Sequence, residues 1–240
     1  EFRQLALDLE RQLAVRGVGI VLNRAVDAAL IERKRPDAVI LATGAVPAGL
    51  AVPGAGLPHV VQAWDVLDGK ARTGRRVVVV GGGAVGVETA LYLADRGTLS
   101  AEAVKFLLVS RAEEPEDLYE LATRGTKEIT IVEMLAKLGR DIGKTTRWGM
   151  LQDLDRYGVK QRLLAKVVKI TESAVTVEVG KRQEEIAADT VVLAVGARPN
   201  NPLREACERL GVSFRVAGDA LSVALAFDAV HQGFLAGMTI

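Results

Sequence analysis

An α/β fold built on a parallel sheet is what this sequence predicts, and three observations predict it. The first is Val77-Val78-Val79-Val80, an unbroken apolar run of the kind that lies buried on both faces of a parallel sheet. The second is the glycine spacing that follows it: Gly81, Gly83 and Gly86 form a G-x-G-x-x-G run that opens into a helical segment. The third is an internal repeat. Asp37–Pro47 aligns without a gap on Asp189–Pro199, each copy being a short apolar strand that ends at a glycine, Gly44 or Gly196. Such a repeat indicates two related halves.

Taken in order, Phe2 to Arg16 reads as a helix, with Leu5, Leu9 and Leu13 on one stripe and Gly17 at its end. Gly19 to Leu22 is expected as a short strand, and Ala25 to Ile31 as further strand or an irregular connection. Ala38 to Pro47 is expected as a buried strand running into a glycine turn. Val52 to Pro58, the stretch densest in proline and glycine, reads as a linker. Gln62 to Leu67 is a short helix leading to the valine strand.

The loop Gly81-Gly82-Gly83-Ala84-Val85-Gly86 carries the chemistry. Gly81 permits a tight turn out of the strand. Gly83 lets backbone N–H groups approach a pyrophosphate, and Gly86 lets the next helix, Ala84 to about Arg96, pack close to the strand. The N-terminus of that helix offers free N–H groups and a partial positive charge to phosphate. A dinucleotide site also needs an acid at the end of the second strand, usually about 20 residues on, for the ribose hydroxyls. Ile129–Glu133 supplies a strand ending in a carboxylate, at a much longer distance. Either Glu133 is the wrong acid or a segment, about 98–128, is inserted before the second strand. The competing strand, Val104 to Val109, ends in Ser110-Arg111 with no acid, so the insertion is the preferred reading. The inserted stretch reads as two helical pieces, around Ala101–Arg111 and Pro115–Ala122.

Thr146 to Tyr157 is expected as a helix. Arg162–Ile170 and Ser173–Val179 look like paired strands, with Gly180-Lys181-Arg182 turning toward Glu184–Ile186. After the second copy of the repeat, a short strand at Phe214–Val216 delivers Gly218-Asp219, and Ala226 to Ala236 reads as a helix.

The 240 residues are 49% hydrophobic and 25% charged, an ordinary globular balance. The net charge is +1, and no basic run points to nucleic acid or anionic lipid. The single cysteine, Cys207, excludes an internal disulfide, a thiol-pair redox centre or a cysteine-ligated iron–sulfur cluster within these residues. Two histidines argue against zinc, and no metal ligand is assigned. No apolar run reaches membrane-spanning length, so no membrane partner and a cytoplasmic location are expected.

The order Ala42-Thr43-Gly44, Pro53-Gly54, the glycines 81, 83 and 86 followed by Glu88, Gly196-Ala197-Arg198-Pro199-Asn200 and Gly218-Asp219 resembles the flavoproteins with two dinucleotide-binding domains. In these a Rossmann-like NADH-binding domain is inserted into an FAD-binding domain. The runs Ile131–Leu135, Leu138–Gly143 and Asp228–Gly233 are similar to the C-terminal part of the NADH:flavin oxidoreductases related to 2,4-dienoyl-CoA reductase and 2-enoate reductase.

The resemblance implies that Gly81, Gly82, Gly83, Ala84, Val85, Gly86 and Glu133 hold NADH, with Glu88 near the nicotinamide and Gly196 near the dinucleotide. It places Thr43, Gly44, Gly218 and Asp219 beside FAD, Asp219 on the ribityl chain. It implies an FAD-domain piece at 1–61 without its own phosphate loop, an NADH domain at 62–195, and a C-terminal FAD-domain piece at 196–240. The FMN-binding barrel and the 4Fe–4S segment of such enzymes are expected elsewhere in a larger polypeptide, and a homo-oligomer is possible. Hydride would pass from NADH to FAD, and electrons onward to an activated alkene such as an enoyl-CoA. No catalytic acid or base is assignable. The alternatives are an NADH oxidase, a ferredoxin-type reductase, or a dinucleotide-binding module without turnover.

Overall fold

The computed structural model describes residues 2–240. Helices α1 (Phe2–Val15) and α2 (Ala28–Lys34) lead to β1 (Ala38–Leu41) and, beyond Gly44, to β2 (Ala45–Pro47). Then come β3 (Val60–Gln62), α3 (Ala63–Leu67), β4 (Arg76–Val80) and α4 (Ala84–Ala94). Helices α5 (Ala101–Val109) and α6 (Pro115–Thr123) precede β5 (Glu128–Val132), α7 (Lys144–Arg156) and β6 (Lys160–Arg162). The hairpins β7 (Ala165–Ile170), β8 (Ala174–Val179) and β9 (Arg182–Ala187) are followed by β10 (Thr190–Leu193) and β11 (Ala197–Pro199). The chain closes with α8 (Arg204–Leu210), β12 (Ser213–Val216), a 3-10 turn at Gly218–Ala220 and α9 (Ala226–Met238).

Two compact units result: 1–44 with 200–240, and 45–199. The larger unit holds a five-stranded parallel sheet in the order β3-β10-β4-β5-β6 and a three-stranded antiparallel sheet β7-β8-β9. The continuous valine run follows from what covers each face. Val77 and Val79 join Val87, Ala90 and Leu93 of α4 in one core. Val78 and Val80 join Val167, Val175 and Val177 of the antiparallel sheet in another. Successive side chains of a strand point to opposite faces, so a strand covered by helices on one side and a sheet on the other is apolar at every position. Strand β10 repeats the pattern, with Val192 in the first core and Val191 and Leu193 in the second.

The smaller unit pairs β1 with β12 in parallel. Its core gathers around Ile31, Leu41 and Cys207, with Val39, Phe214 and Val216 packed on them.

Several expectations are corrected. Gly19–Leu22 forms no strand; its apolar residues Ile20, Val21 and Leu22 are exposed, and no neighbouring strand pairs with them among the described residues. Residues 28–31 of the supposed extension belong to α2, because Asp27 caps that helix by accepting a hydrogen bond from the Leu30 N–H at 2.8 Å. Val52–Pro58 is no free linker. It turns against the hairpin sheet, where the Ile170 N–H donates to the Pro53 carbonyl at 2.9 Å. Arg162–Ile170 divides at Leu164, whose φ of 53° breaks the strand, so that β6 joins the parallel sheet and β7 the antiparallel one.

The boundaries of the units also differ from 61/62 and 195/196. Residues 45–61 include β3, the edge strand of the parallel sheet, and β2 pairs antiparallel with β11. Both segments therefore belong with 62–195. The two copies of the repeat end in matching ways: the Asn200 N–H donates to the Gly44 carbonyl at 3.0 Å, and the Ala48 N–H to the Gly196 carbonyl at 2.9 Å. Both glycines have positive φ, 70° and 98°.

Candidate functional site

At the C-terminal ends of β4, β5 and β10 the larger unit opens a cleft of about 800 Å³. This end of a parallel sheet is where ligands of open α/β folds bind. The cleft floor is apolar, formed by Val80, Val132, Val167 and Val195. Its rim carries the loop 81–85, Glu133, Asp141 and three cations, Lys137, Arg140 and Lys166.

Gly81, Gly86 and Gly83 differ in what a side chain there would meet. Gly81 has φ 107°, and a side chain there would run into the Ala194 carbonyl. A Cβ on Gly86 would press on the Gly81 carbonyl oxygen, so α4 sits against the turn it leaves. Gly83 is unlike both. Its φ of −72° and ψ of −173° suit any residue, and the nearest atoms a Cβ would meet are those of the Asp141 carboxylate, at 3.0–3.5 Å. Its missing side chain lets the Asp141 carboxylate approach the first turn of α4.

Glu133 is 9% exposed and is held by the loop it serves. Its Oε2 accepts from the Gly82 N–H at 2.6 Å, and its Oε1 from the Leu135 N–H at 2.7 Å. A carboxylate has about four lone-pair positions, so about two remain free. Gly82 is held from the other side too, its carbonyl accepting from the Gly139 N–H at 2.7 Å. These bonds make the long-range partnership between 81–86 and 133–141 part of the loop's own geometry.

Asp141 is the residue that sequence reasoning missed. Both its oxygens accept from the Ala84 N–H, at 2.9 and 3.1 Å. The signal was an acid inside the run Leu138–Gly143, but nothing in its spacing ties it to a loop more than fifty positions earlier.

Among the sequence-predicted residues, Gly81, Gly82, Gly83, Ala84, Val85, Glu133 and Gly196 line this one cleft. Gly86 is buried behind it, and Glu88 is exposed on α4 and does not line it. Thr43, Gly44, Gly218 and Asp219 belong to the smaller unit. There the Thr43 hydroxyl donates to the Asn200 carbonyl, and the Asn200 amide donates to the Thr43 carbonyl at 3.3 Å. The Gly218 N–H donates to Gln232 Oε1 at 2.8 Å. Asp219 Oδ1 accepts from the Ala224 N–H at 3.2 Å, while Oδ2 has no donor among the described residues. The described residues hold no cluster of three or more metal-ligating side chains, and no helix among them is long and apolar enough to cross a membrane.

Comparison with known proteins gives a consistent likeness. Residues 4–220 match the family described as pyridine nucleotide-disulphide oxidoreductase. A metal reductase of Desulforamulus reducens is 42% identical over 204 residues, which is 85% of this chain and 30% of that protein. An NADH oxidase of Thermoanaerobacter brockii is 36% identical over 233 residues, 94% of this chain and 31% of the relative. The chain thus spans about a third of the length of these relatives. Its fold is similar to that of a 2-naphthoyl-CoA reductase, with a TM-score of 0.76 and 23% identity over 96% of this chain and 31% of that one.

Proposed function

This chain belongs to the pyridine nucleotide-disulphide oxidoreductase family, whose members bind FAD and NAD(P)H, and from that premise we propose that residues 45–199 bind NADH as the electron-entry part of a flavin-dependent oxidoreductase. The observation that carries the reading is Gly83: its backbone conformation suits any residue, yet it carries no side chain beside the N-terminus of an 11-residue helix. The pyrophosphate lies there, held by N–H groups at the positive end of α4. Glu133 takes the adenosine ribose hydroxyls with its two remaining lone-pair positions. The apolar floor excludes water from the rest of the dinucleotide.

When bound, the nicotinamide and the flavin supply the hydride-transfer chemistry. The chain binds, orients and shields. On the FAD side, Thr43, Gly44, Gly218 and Asp219 are the proposed contacts, with Asp219 Oδ2 the free acceptor.

For the final acceptor we propose an activated alkene such as an enoyl thioester, on the sequence resemblance. The relative named NADH oxidase favours a second reading, with dioxygen as acceptor. NADH consumption by the full-length protein, with alkene under anaerobic conditions or with dioxygen alone, separates the two.

The nucleotide site is tested with Gly83→Val. The side chain displaces a flexible carboxylate and leaves the backbone unstrained, so circular dichroism should be unchanged while NADH affinity falls at least about a hundredfold through loss of the pyrophosphate contacts. A folded variant with unchanged affinity places the phosphates elsewhere.

A further inference from the structure

Asp141 takes up the N–H that the pyrophosphate needs. Its carboxylate accepts from Ala84, the first residue of α4, through both oxygens, and lies where a Cβ on Gly83 would meet it. Among the described residues that N–H is its only donor, and none of the ion pairs includes it. An anion at a helix N-terminus is satisfied by the same N–H groups and the same dipole that bind phosphate. Two anions cannot share them.

We infer that Asp141 is an internal competitor for the pyrophosphate position, so that the dinucleotide binds only when the segment 139–143 withdraws its carboxylate from Ala84. The inference rests on the reading of 45–199 as the NADH site. The segment is anchored just before Asp141: the Gly139 N–H holds the Gly82 carbonyl, and Arg147 Nε donates to the Leu138 carbonyl at 2.9 Å. After it, Gly143 precedes α7 with no side-chain cap, and among the described residues the bond to Ala84 is the only hydrogen bond that holds the Asp141 side chain. Lys137 and Arg140 line the same cleft. They favour both anions, so the exchange is one negative group for another rather than the exposure of an uncompensated positive end.

The occupied state lowers apparent affinity by the fraction of molecules in which the position is open. Removing the carboxylate removes that penalty. In the 240-residue chain, Asp141→Ala should tighten NADH binding by about three- to tenfold, the gain when the open fraction rises from roughly a tenth to a third up to unity. Asp141→Asn keeps an acceptor but no charge, and should fall between. Inorganic pyrophosphate alone should bind both variants correspondingly more tightly. In stopped flow, the observed rate for the wild type should level off with rising NADH, because opening precedes binding, and should stay linear for Asp141→Ala.

Circular dichroism establishes that each variant is folded; should Asp141→Ala be unfolded, the isosteric Asp141→Asn is the variant to read. Affinity equal to or weaker than wild type in a folded variant overturns the inference, as does a plateau that the substitution leaves in place. If Gly83→Val loses NADH while Asp141 variants match the wild type, only the competitor fails. If the wild type itself binds no NADH, the reading of the site fails.

Discussion

Glu133 illustrates how a proposed ligand can also be a structural part. Its two oxygens face two backbone donors, Gly82 N–H in the buried interior and Leu135 N–H at the edge. Glu133→Gln is therefore not conservative here: its amide nitrogen would confront one of those donors. Glu133→Ala leaves the Gly82 N–H without a partner, which costs about 1–3 kcal/mol of stability. Denaturant unfolding should show that loss, and NADH affinity should fall at least about tenfold with the ribose contacts. The wild type should prefer NADH to NADPH, because a 2′-phosphate would face the carboxylate. Lys137 and Arg140 in the same cleft moderate that preference. Equal affinities for the two nucleotides in the wild type would remove Glu133 as the ribose ligand.

At the scale of elements, the parallel sheet is fastened at the end opposite the cleft. Asp189, just before β10, accepts from the Arg76 N–H at 2.8 Å and from its guanidinium at 2.5 and 3.1 Å, at the start of β4. The Gly74 N–H adds a bond to Thr190 Oγ1 at 2.9 Å. The Arg76 guanidinium, and then its N–H, hold the Asp189 carboxyl down at about 2. An unfolded aspartate titrates near 3.9. A depressed carboxyl contributes stability above its unfolded value and loses it as pH falls toward the folded one. The contribution of Asp189 should thus be complete above about pH 5 and decline between about pH 4 and pH 2. Melting temperatures of the wild type and Asp189→Asn should converge over that window. A constant difference would show that the clip acts through packing rather than charge.

For the whole molecule, the two units have unequal means of support. Both large cores of 45–199 draw on residues of that segment alone, while the core of the other unit is built on Ile31, Leu41 and Cys207. Its helix α9 leaves Phe227, Val230, Phe234 and Met238 exposed. Stability follows buried apolar area. The segment 45–199, continuous in sequence, should therefore fold when expressed alone and bind NADH with the affinity of the full chain. Calorimetry of the full chain should show the smaller unit melting first. An excised segment that fails to fold would show that its cores depend on the rest of the chain.

Features set by neighbours along the chain are legible in the amino-acid order. Four valines, a glycine run and a helix specify strand–loop–helix at 76–94, because burial on both faces demands an unbroken apolar run and the turn demands Gly81. The repeat marked both strand-and-glycine crossings, and the strand leading to Glu133 was legible once 98–128 was read as two helical pieces, α5 and α6. Tertiary structure alone decided where short segments went. Val60–Gln62 and Lys160–Arg162 are strands because the parallel sheet offers them partners, whereas the equally apolar Ile20–Leu22 has none among the described residues. Three or four residues carry too little local preference to choose a conformation, so hydrogen-bonding partners choose it for them. Asp141 is the same lesson in the site: its role lies in a bond to Ala84, and a hydrogen bond between distant segments leaves no periodicity in the sequence to read.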